Sequence, residues 1–245
     1  MTAVLEVESL TRNFGGLRAV DEVTFSLRRG TVLGLIGPNG AGKSTVVNLV
    51  TGHLAPTRGR VRVGGRDVTG APPWKLVRAG VARTFQVVRP FEDLTVLDNV
   101  AVSAMYAAGF PARAARTTAR RLLEQVGLAT RAGDPAGQLG VADSRRLELA
   151  RALATHPRVL VLDEILGGLA QREIAAGVDL LAALREQGIA ILLVEHHMGA
   201  VRALCDRVIM LERGRPLTSG PPAEVLSDRR VVRAYLGARH PGTAP

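Results

Sequence analysis

Apolar and polar positions alternate along the first part of the chain, over residues 4–10 and again over 19–27, with a polar break at 13–16. A period of two predicts half-buried β-strands. The pattern then turns continuous: residues 31–36 predict a buried strand that runs into glycine-rich 37–42. A helix is predicted to begin at Lys43 and to end near Thr51 and Gly52, where glycine suits a helix C-terminus. Residues 60–63, followed by Gly64 and Gly65, predict a small strand and a turn.

Between 92 and 138 the pattern becomes helical and alanine-rich, broken at Pro111 and Gly133. A helix from Arg145 carries Leu147, Ala150 and Leu153 on one stripe and stops at Pro157. Residues 159–162 form an apolar run of the kind buried on both faces. A helix over 173–186, with Ile174, Val178, Leu181 and Leu184 at helical spacing, precedes strands at 189–194 and 208–211. Strands alternating with helices predict an α/β fold, its mostly parallel sheet covered on both sides. The block at 92–138 then reads as an inserted helical subdomain. The residues from 237 onward are expected to be a frayed tail.

Composition narrows the function classes. The chain has 245 residues, 47% of them hydrophobic, enough for one substantial core. No run of about 18 apolar residues exists to span a bilayer. The N-terminus carries Glu6 and Glu8 and lacks a secretory pattern, so a cytoplasmic chain is expected. A single cysteine, Cys205, excludes an internal disulfide and reads as a small buried hydrophobe. The net charge of +10 is nearly all arginine, since Lys43 and Lys75 are the only lysines. Such charge suits nucleic acid or anionic membrane surfaces. The arginines are scattered, however, and five Phe, two Tyr and one Trp are too few for base-stacking platforms. No nucleic-acid partner is expected, and a solvated basic surface near phospholipid is the better reading.

The chemistry concentrates at Gly37-Pro38-Asn39-Gly40-Ala41-Gly42-Lys43-Ser44, which matches the P-loop pattern and lies between a predicted strand and a predicted helix. Glycines let backbone N–H groups converge on phosphate oxygens, and the helix start adds its positive end. Lys43 can reach the β- and γ-phosphates, and the Ser44 hydroxyl can join a Mg²⁺ shell. A P-loop also needs a carboxylate at the end of a nearby strand. Asp163 closes the run at 159–162, and so emerges at the carboxyl edge of the sheet. Glu164 follows it and can polarise an attacking water as general base.

Together these segments resemble one family, the ATP-binding cassette (ABC) ATPases, over nearly the whole chain. Arg83-Thr84-Phe85-Gln86 resembles the family's Q-loop, 159–164 its Walker B strand, and Leu193-Val194-Glu195-His196 its switch segment. Phe14 stands where the family places an aromatic against adenine. The resemblance implies a P-loop NTPase (RecA-like) fold with an N-terminal antiparallel β subdomain and an inserted α-helical subdomain. It divides the chain into a core at 1–91 and 155–236, a helical subdomain at 92–154 and a tail at 237–245. It implies ATP and Mg²⁺, the nucleotide held by Phe14, residues 37–44, Thr45 and Asp163, and the metal by Ser44, Gln86 and Asp163. Glu164, His196 and Gln86 would be catalytic.

Within the family, the likeness is to ATPases of branched-chain or hydrophobic amino-acid importers. It is carried by the run from Phe14 to Val20, by Arg83-Thr84-Phe85-Gln86 followed by Phe91-Glu92-Asp93-Leu94-Thr95-Val96, and by Ala234-Tyr235-Leu236-Gly237. Urea, amide and lipopolysaccharide transport ATPases share parts of these stretches. Partners would be transmembrane permeases, a second cassette and, indirectly, an extracytoplasmic binding protein, with the chain peripheral on the inner membrane face.

Departures are concentrated in the signature loop. The family's Leu-Ser-x-Gly-Gln is here Leu139-Gly140-Val141-Ala142-Asp143. Losing the hydroxyl, whose bond to a phosphate is worth roughly 1.5–3 kcal/mol, would weaken closure about 10- to 150-fold. Asp143 near a triphosphate is expected to add repulsion. Ile165 replaces a proline, Ala170 a polar residue, and His197 an aspartate. These changes suggest an asymmetric dimer, in which this chain's P-loop fires against a partner's intact signature. They also leave open a switch that binds ATP without efficient hydrolysis. The charge leaves open a nucleic-acid-associated cassette.

Overall fold

The computed structural model describes residues 3–85 and 89–237. Strands β1 (Ala3–Phe14) and β2 (Leu17–Arg28) form a hairpin, so the polar break is only the two-residue turn between Phe14 and Leu17. After β3 (Val32–Ile36) comes α1 (Lys43–Val50), then β4 (Arg58–Val63) and the two-residue β5 (Arg66–Asp67). Helix α2 (Pro73–Ala79) and strand β6 (Val81–Arg83) follow. The helical block holds α3 (Val96–Ala108), α4 (Ala112–Gln125) and α5 (Val141–Leu153). The chain continues through β7 (Val159–Asp163), α6 (Gln171–Glu186), β8 (Ala190–Val194), α7 (Met198–Leu204) and β9 (Arg207–Glu212). It closes with β10 (Arg215–Gly220), α8 (Pro222–Ser227) and α9 (Arg229–Gly237).

Two sheets result. One is antiparallel, in the order β2-β1-β4-β5; the other has six strands in the order β10-β9-β3-β8-β7-β6. In the larger sheet the neighbours from β9 to β6 run parallel, and only β10 is antiparallel, at the edge. Each central strand divides its side chains between two cores. Leu33 and Leu35 of β3, Val159 and Val161 of β7, and Leu192 of β8 pack with α1 and the antiparallel sheet. Val32, Ile36, Leu160, Leu162, Ile191 and Leu193 pack on the opposite face with α6, α7 and the helical block. Burial on both faces makes these strands read as unbroken apolar runs, and each fully buried Leu, Ile or Val contributes roughly 1.5–3 kcal/mol.

Helix α3 is held at its start by an N-cap, Thr95, whose Oγ1 accepts the Asp98 N–H at 3.0 Å. Helix α5 starts a full turn before Arg145, because Gly140 already sits at its N-cap. Val141 is 65% exposed, so this first turn adds nothing to the apolar stripe by which the helix was read.

Candidate nucleotide and hydrolysis site

The carboxyl ends of β3, β7 and β8 face one region, and the loops leaving them carry the predicted residues. The chain leaves β3 through Gly37-Pro38-Asn39-Gly40-Ala41-Gly42 into α1. Gly42 has φ +101°, and a Cβ there would lie 2.5 Å from the Ala19 carbonyl oxygen, so no side chain fits. Gly40 has φ +77°, a left-handed backbone that side chains rarely adopt, although its Cβ would meet open space. Helix α1 has no side-chain cap. Among the described residues the N–H groups of Gly40, Lys43, Ser44 and Thr45 have no backbone or side-chain acceptor. Bare, converging donors at a helix start are what a phosphate chain requires.

Lys43 is buried, and its Nζ donates to the Gly37 oxygen at 2.7 Å and the Pro38 oxygen at 3.1 Å. Desolvation lowers its pKa, against the pull of Glu164 and Asp163. Two further segments brace the loop. The Gly214 N–H, in the β9–β10 turn, donates to the Ala41 oxygen, and the Gly37 N–H donates to the Tyr235 hydroxyl at 2.8 Å.

Asp163 ends β7 and is buried among polar neighbours. Its Oδ2 lies 3.0 Å from Arg83 Nη2, while Arg83 Nη1 donates to Asn48 Oδ1 at 2.6 Å. Burial raises the Asp163 pKa, and the Arg83 charge and hydrogen bond oppose that rise. Ser44 and Asp163 line one cavity of about 510 Å³, together with Arg83, Phe85, Arg89, Glu148 and Arg151. A hydroxyl and a carboxylate are hard oxygen donors suited to Mg²⁺, which keeps waters and phosphate oxygens in its shell. No group of three or more His, Cys, Asp or Glu able to hold a metal occurs among the described residues. The Ser44 hydroxyl and the Asp163 carboxylate, lining one cavity, fit a metal that completes its shell with water and phosphate oxygens.

Glu164 follows with φ +53°, a left-handed backbone that costs a non-glycine residue about 1–3 kcal/mol. Its N–H donates to the Val194 oxygen at 2.9 Å, tying this turn to the end of β8. The geometry brings Glu164 Oε1 to 2.6 Å from His196 Nε2. Next to His196 in the chain, Glu195 is 2% exposed, and its Oε1 accepts the Leu166 N–H at 2.8 Å.

Phe14 sits at the end of β1, 42% exposed, with the Arg12 guanidinium 4.8 Å over its ring. Its hairpin reaches the phosphate loop through Ala19. Gln86 lies outside the described residues. The arrangement therefore brings Lys43, Asp163, Glu164 and His196 together. It also reveals three residues not singled out as site residues from sequence: Arg83, Tyr235 and Glu195. All three lie inside stretches that carried the family resemblance, which was their only signal.

The signature segment differs from expectation in one respect. Asp143 carries arginine partners, Arg131 Nη1 at 3.3 Å and Arg146 Nη1 at 3.4 Å, so its charge is compensated rather than bare. His197 caps α7, its Nδ1 accepting the Ala200 N–H at 3.1 Å, a role an aspartate would also fill. Ile165 and Leu166 are buried in the core behind the turn.

A phosphate cradle at a sheet's carboxyl edge, with an acid pair across from it and a helical block inserted between strands, defines a P-loop nucleotide hydrolase of cassette type. A family model described as "ABC transporter" matches residues 20–167, and the chain belongs to that family of ATP-binding, ATP-hydrolysing cassettes. A second model, "Branched-chain amino acid ATP-binding cassette transporter", matches residues 215–241. The chain is 40% identical to the high-affinity branched-chain amino acid transport ATP-binding protein BraF of Pseudomonas aeruginosa, over 96% of this chain and 98% of that one. With the same coverage it is 38% identical to LivG of Escherichia coli. It is also 40% identical to the methionine import ATP-binding protein MetN of Caulobacter vibrioides, over 91% of this chain and 70% of that one. Among solved structures, the ADP conformation of MJ1267, an ATP-binding cassette of an ABC transporter, superposes with a TM-score of 0.88 at 30% identity. That match covers 97% of this chain and all of the other. No helix among the described residues is long and apolar enough to cross a membrane.

Proposed function

We propose that this chain is the ATP-hydrolysing subunit of an importer for branched-chain or other hydrophobic amino acids. It acts at the inner membrane face with permease subunits, a second cassette and an extracytoplasmic binding protein. The observation that carries this reading is the C-terminal segment. The part matched to branched-chain amino-acid cassettes, 215–241, is built into the nucleotide site through β10 and through Tyr235 on the phosphate loop.

In this reading ATP lies with its phosphates on the N–H groups of residues 40–45 and its base against Phe14, whose ring already carries Arg12 on one side. Ser44, Asp163 and Gln86 would hold Mg²⁺, which when bound neutralises charge on the phosphate oxygens. Glu164 takes the proton of the attacking water while His196 orients that carboxylate, and Gln86 helps place the water. We assign the core to 1–91 and 155–236, and the helical subdomain to 92–154.

The altered signature loop supports an asymmetric pair. Gly140 and Ala142 offer no hydroxyl to a partner's γ-phosphate, although α5 still presents an uncapped helix start there. The same feature favours, as a second reading, a cassette that binds ATP and hydrolyses it poorly.

The test is co-purification with candidate permease subunits, followed by ATPase assay in liposomes with a candidate binding protein. Leucine, isoleucine or valine should stimulate turnover several-fold. Stimulation by methionine or urea instead would overturn the substrate class. Bound nucleotide without phosphate release, with every partner present, would favour the switch.

A further inference from the structure

Glu195 presents a problem that the hydrolysis reading leaves unsolved. It is a carboxylate 2% exposed, lying between the last residue of β8 and His196. Burying an ionised carboxylate is costly unless hydrogen bonds compensate it. One backbone donor from another segment does so, the N–H of Leu166 at 2.8 Å on Oε1. Donor and acceptor come from different segments, Leu166 from the turn after β7 and Glu195 from just beyond β8.

That pairing closes a ring. The turn after β7 is fastened to β8 at two points, by Glu164 N–H to the Val194 oxygen and by Leu166 N–H to the Glu195 carboxylate. Glu164 lies at the first of these points, in its left-handed conformation. The ring is completed by the 2.6 Å contact between Glu164 Oε1 and His196 Nε2. A residue with φ +53° has an easier backbone available and needs both flanks fixed to stay where it is. The Val194 carbonyl fixes one flank, and the Glu195 carboxylate fixes the other through the Leu166 N–H.

We infer that Glu195 is a positioning residue for hydrolysis. Its buried carboxylate, next to His196 in the chain, takes the Leu166 N–H and so holds the Glu164–His196 pair in register. It touches no nucleotide and acts through the backbones of the two segments. The inference rests on Glu164 being the general base.

The experiment compares Glu195→Gln, Glu195→Ala and Glu164→Gln in the full chain, co-purified with its permeases and second cassette. Readouts are kcat and KM for MgATP, binding of a fluorescent ATP analogue, and thermal melting. Glutamine has the same shape and keeps an oxygen for the Leu166 N–H, but loses the charge. It should lower kcat about 3- to 10-fold, and alanine about 10- to 100-fold, with KM and analogue affinity within about 2-fold of the unaltered protein. In a Glu164→Gln background neither change should lower the residual rate further, since both act on one step. If Glu195→Ala does not melt cooperatively, Glu195→Gln alone decides. A kcat within 2-fold of normal for each folded Glu195 variant, with Glu164→Gln inactive, would overturn the inference and leave the base assignment standing. Parallel loss of analogue affinity would overturn it in favour of a merely structural role. Full activity of Glu164→Gln would remove the base assignment and the inference with it.

Discussion

The hydroxyl of Tyr235 accepts the N–H of Gly37 at 2.8 Å across 198 positions of sequence, so the last helix holds the first peptide of the phosphate loop. The phenol is half-buried, and desolvation raises its pKa against the Gly37 hydrogen bond. Nothing else among the described residues accepts that N–H.

Tyr235→Phe keeps the ring and removes the acceptor. A buried donor left without a partner costs about 1–3 kcal/mol, and here that cost falls on the loop that binds phosphate. The expected outcome is a KM for MgATP raised about 5-fold or more, with kcat nearly unchanged. Steady-state kinetics check this, and an unchanged KM would mean that the contact carries no weight.

Arg83 and Asp163 form a buried ion pair, their side chains 11% and 5% exposed. Arg83→Met leaves the carboxylate buried without its chief partner, and a broken buried pair typically costs about 3–5 kcal/mol. Urea unfolding should show a midpoint lowered accordingly. The double variant with Asp163→Asn should recover part of that loss, because no unpaired charge then remains. Equal stability of the single and double variants would contradict this.

Cys205 is buried beside Asp206, and burial pushes its thiol up to about 12 from an ordinary 9.0. At pH 8 only about one native thiol in ten thousand is thiolate, so a maleimide should label the folded chain negligibly and the urea-unfolded chain fully. The sign of the pH effect follows. The unfolded chain releases this proton first, so stability is lost as pH rises from 9.0 toward 12, by about 1.4 kcal/mol per unit. Cys205→Ala should remove that slope, which alkaline urea titrations would measure.

If Gly140 and Ala142 limit closure, restoring a hydroxyl and a glycine should release the limit. Gly140→Ser with Ala142→Gly is expected to raise turnover of this chain paired with itself about 10-fold or more. The same change should matter little in a heterodimer whose other signature loop is intact. Phosphate-release assays on both assemblies decide it. No gain in the self-paired chain would count against the asymmetric arrangement.

How much of this was legible in the sequence depended on periodicity and length. β3, β7 and β8 were plain because burial on both faces leaves five consecutive buried residues in each. β6 has three residues and α2 seven, too short for a period to register. β10 carries Pro216 and lies at the sheet edge, half exposed, so it gave no apolar signal. The site was readable where chemistry follows a fixed local spacing, as at residues 37–44 and at the acids 163 and 164. It was unreadable where a side chain crosses the fold to hold a backbone group. Nothing local to Glu195 announces that it reaches Leu166, and nothing near Tyr235 announces Gly37. The arginine pairing of Asp143 was unreadable for the same reason, since Arg131, one of its two partners, lies outside the motif.

The loop that receives phosphate is thus walled by residues from distant parts of the chain: Ala19 beneath Gly42, Leu211 beneath Gly37, Gly214 on Ala41 and Tyr235 on Gly37. A substitution at the β9–β10 turn or in the final helix therefore belongs with the active-site variants, however remote it looks on the linear map. Transplanting the glycine-rich octapeptide alone into another scaffold would carry the wording of the site without its grip.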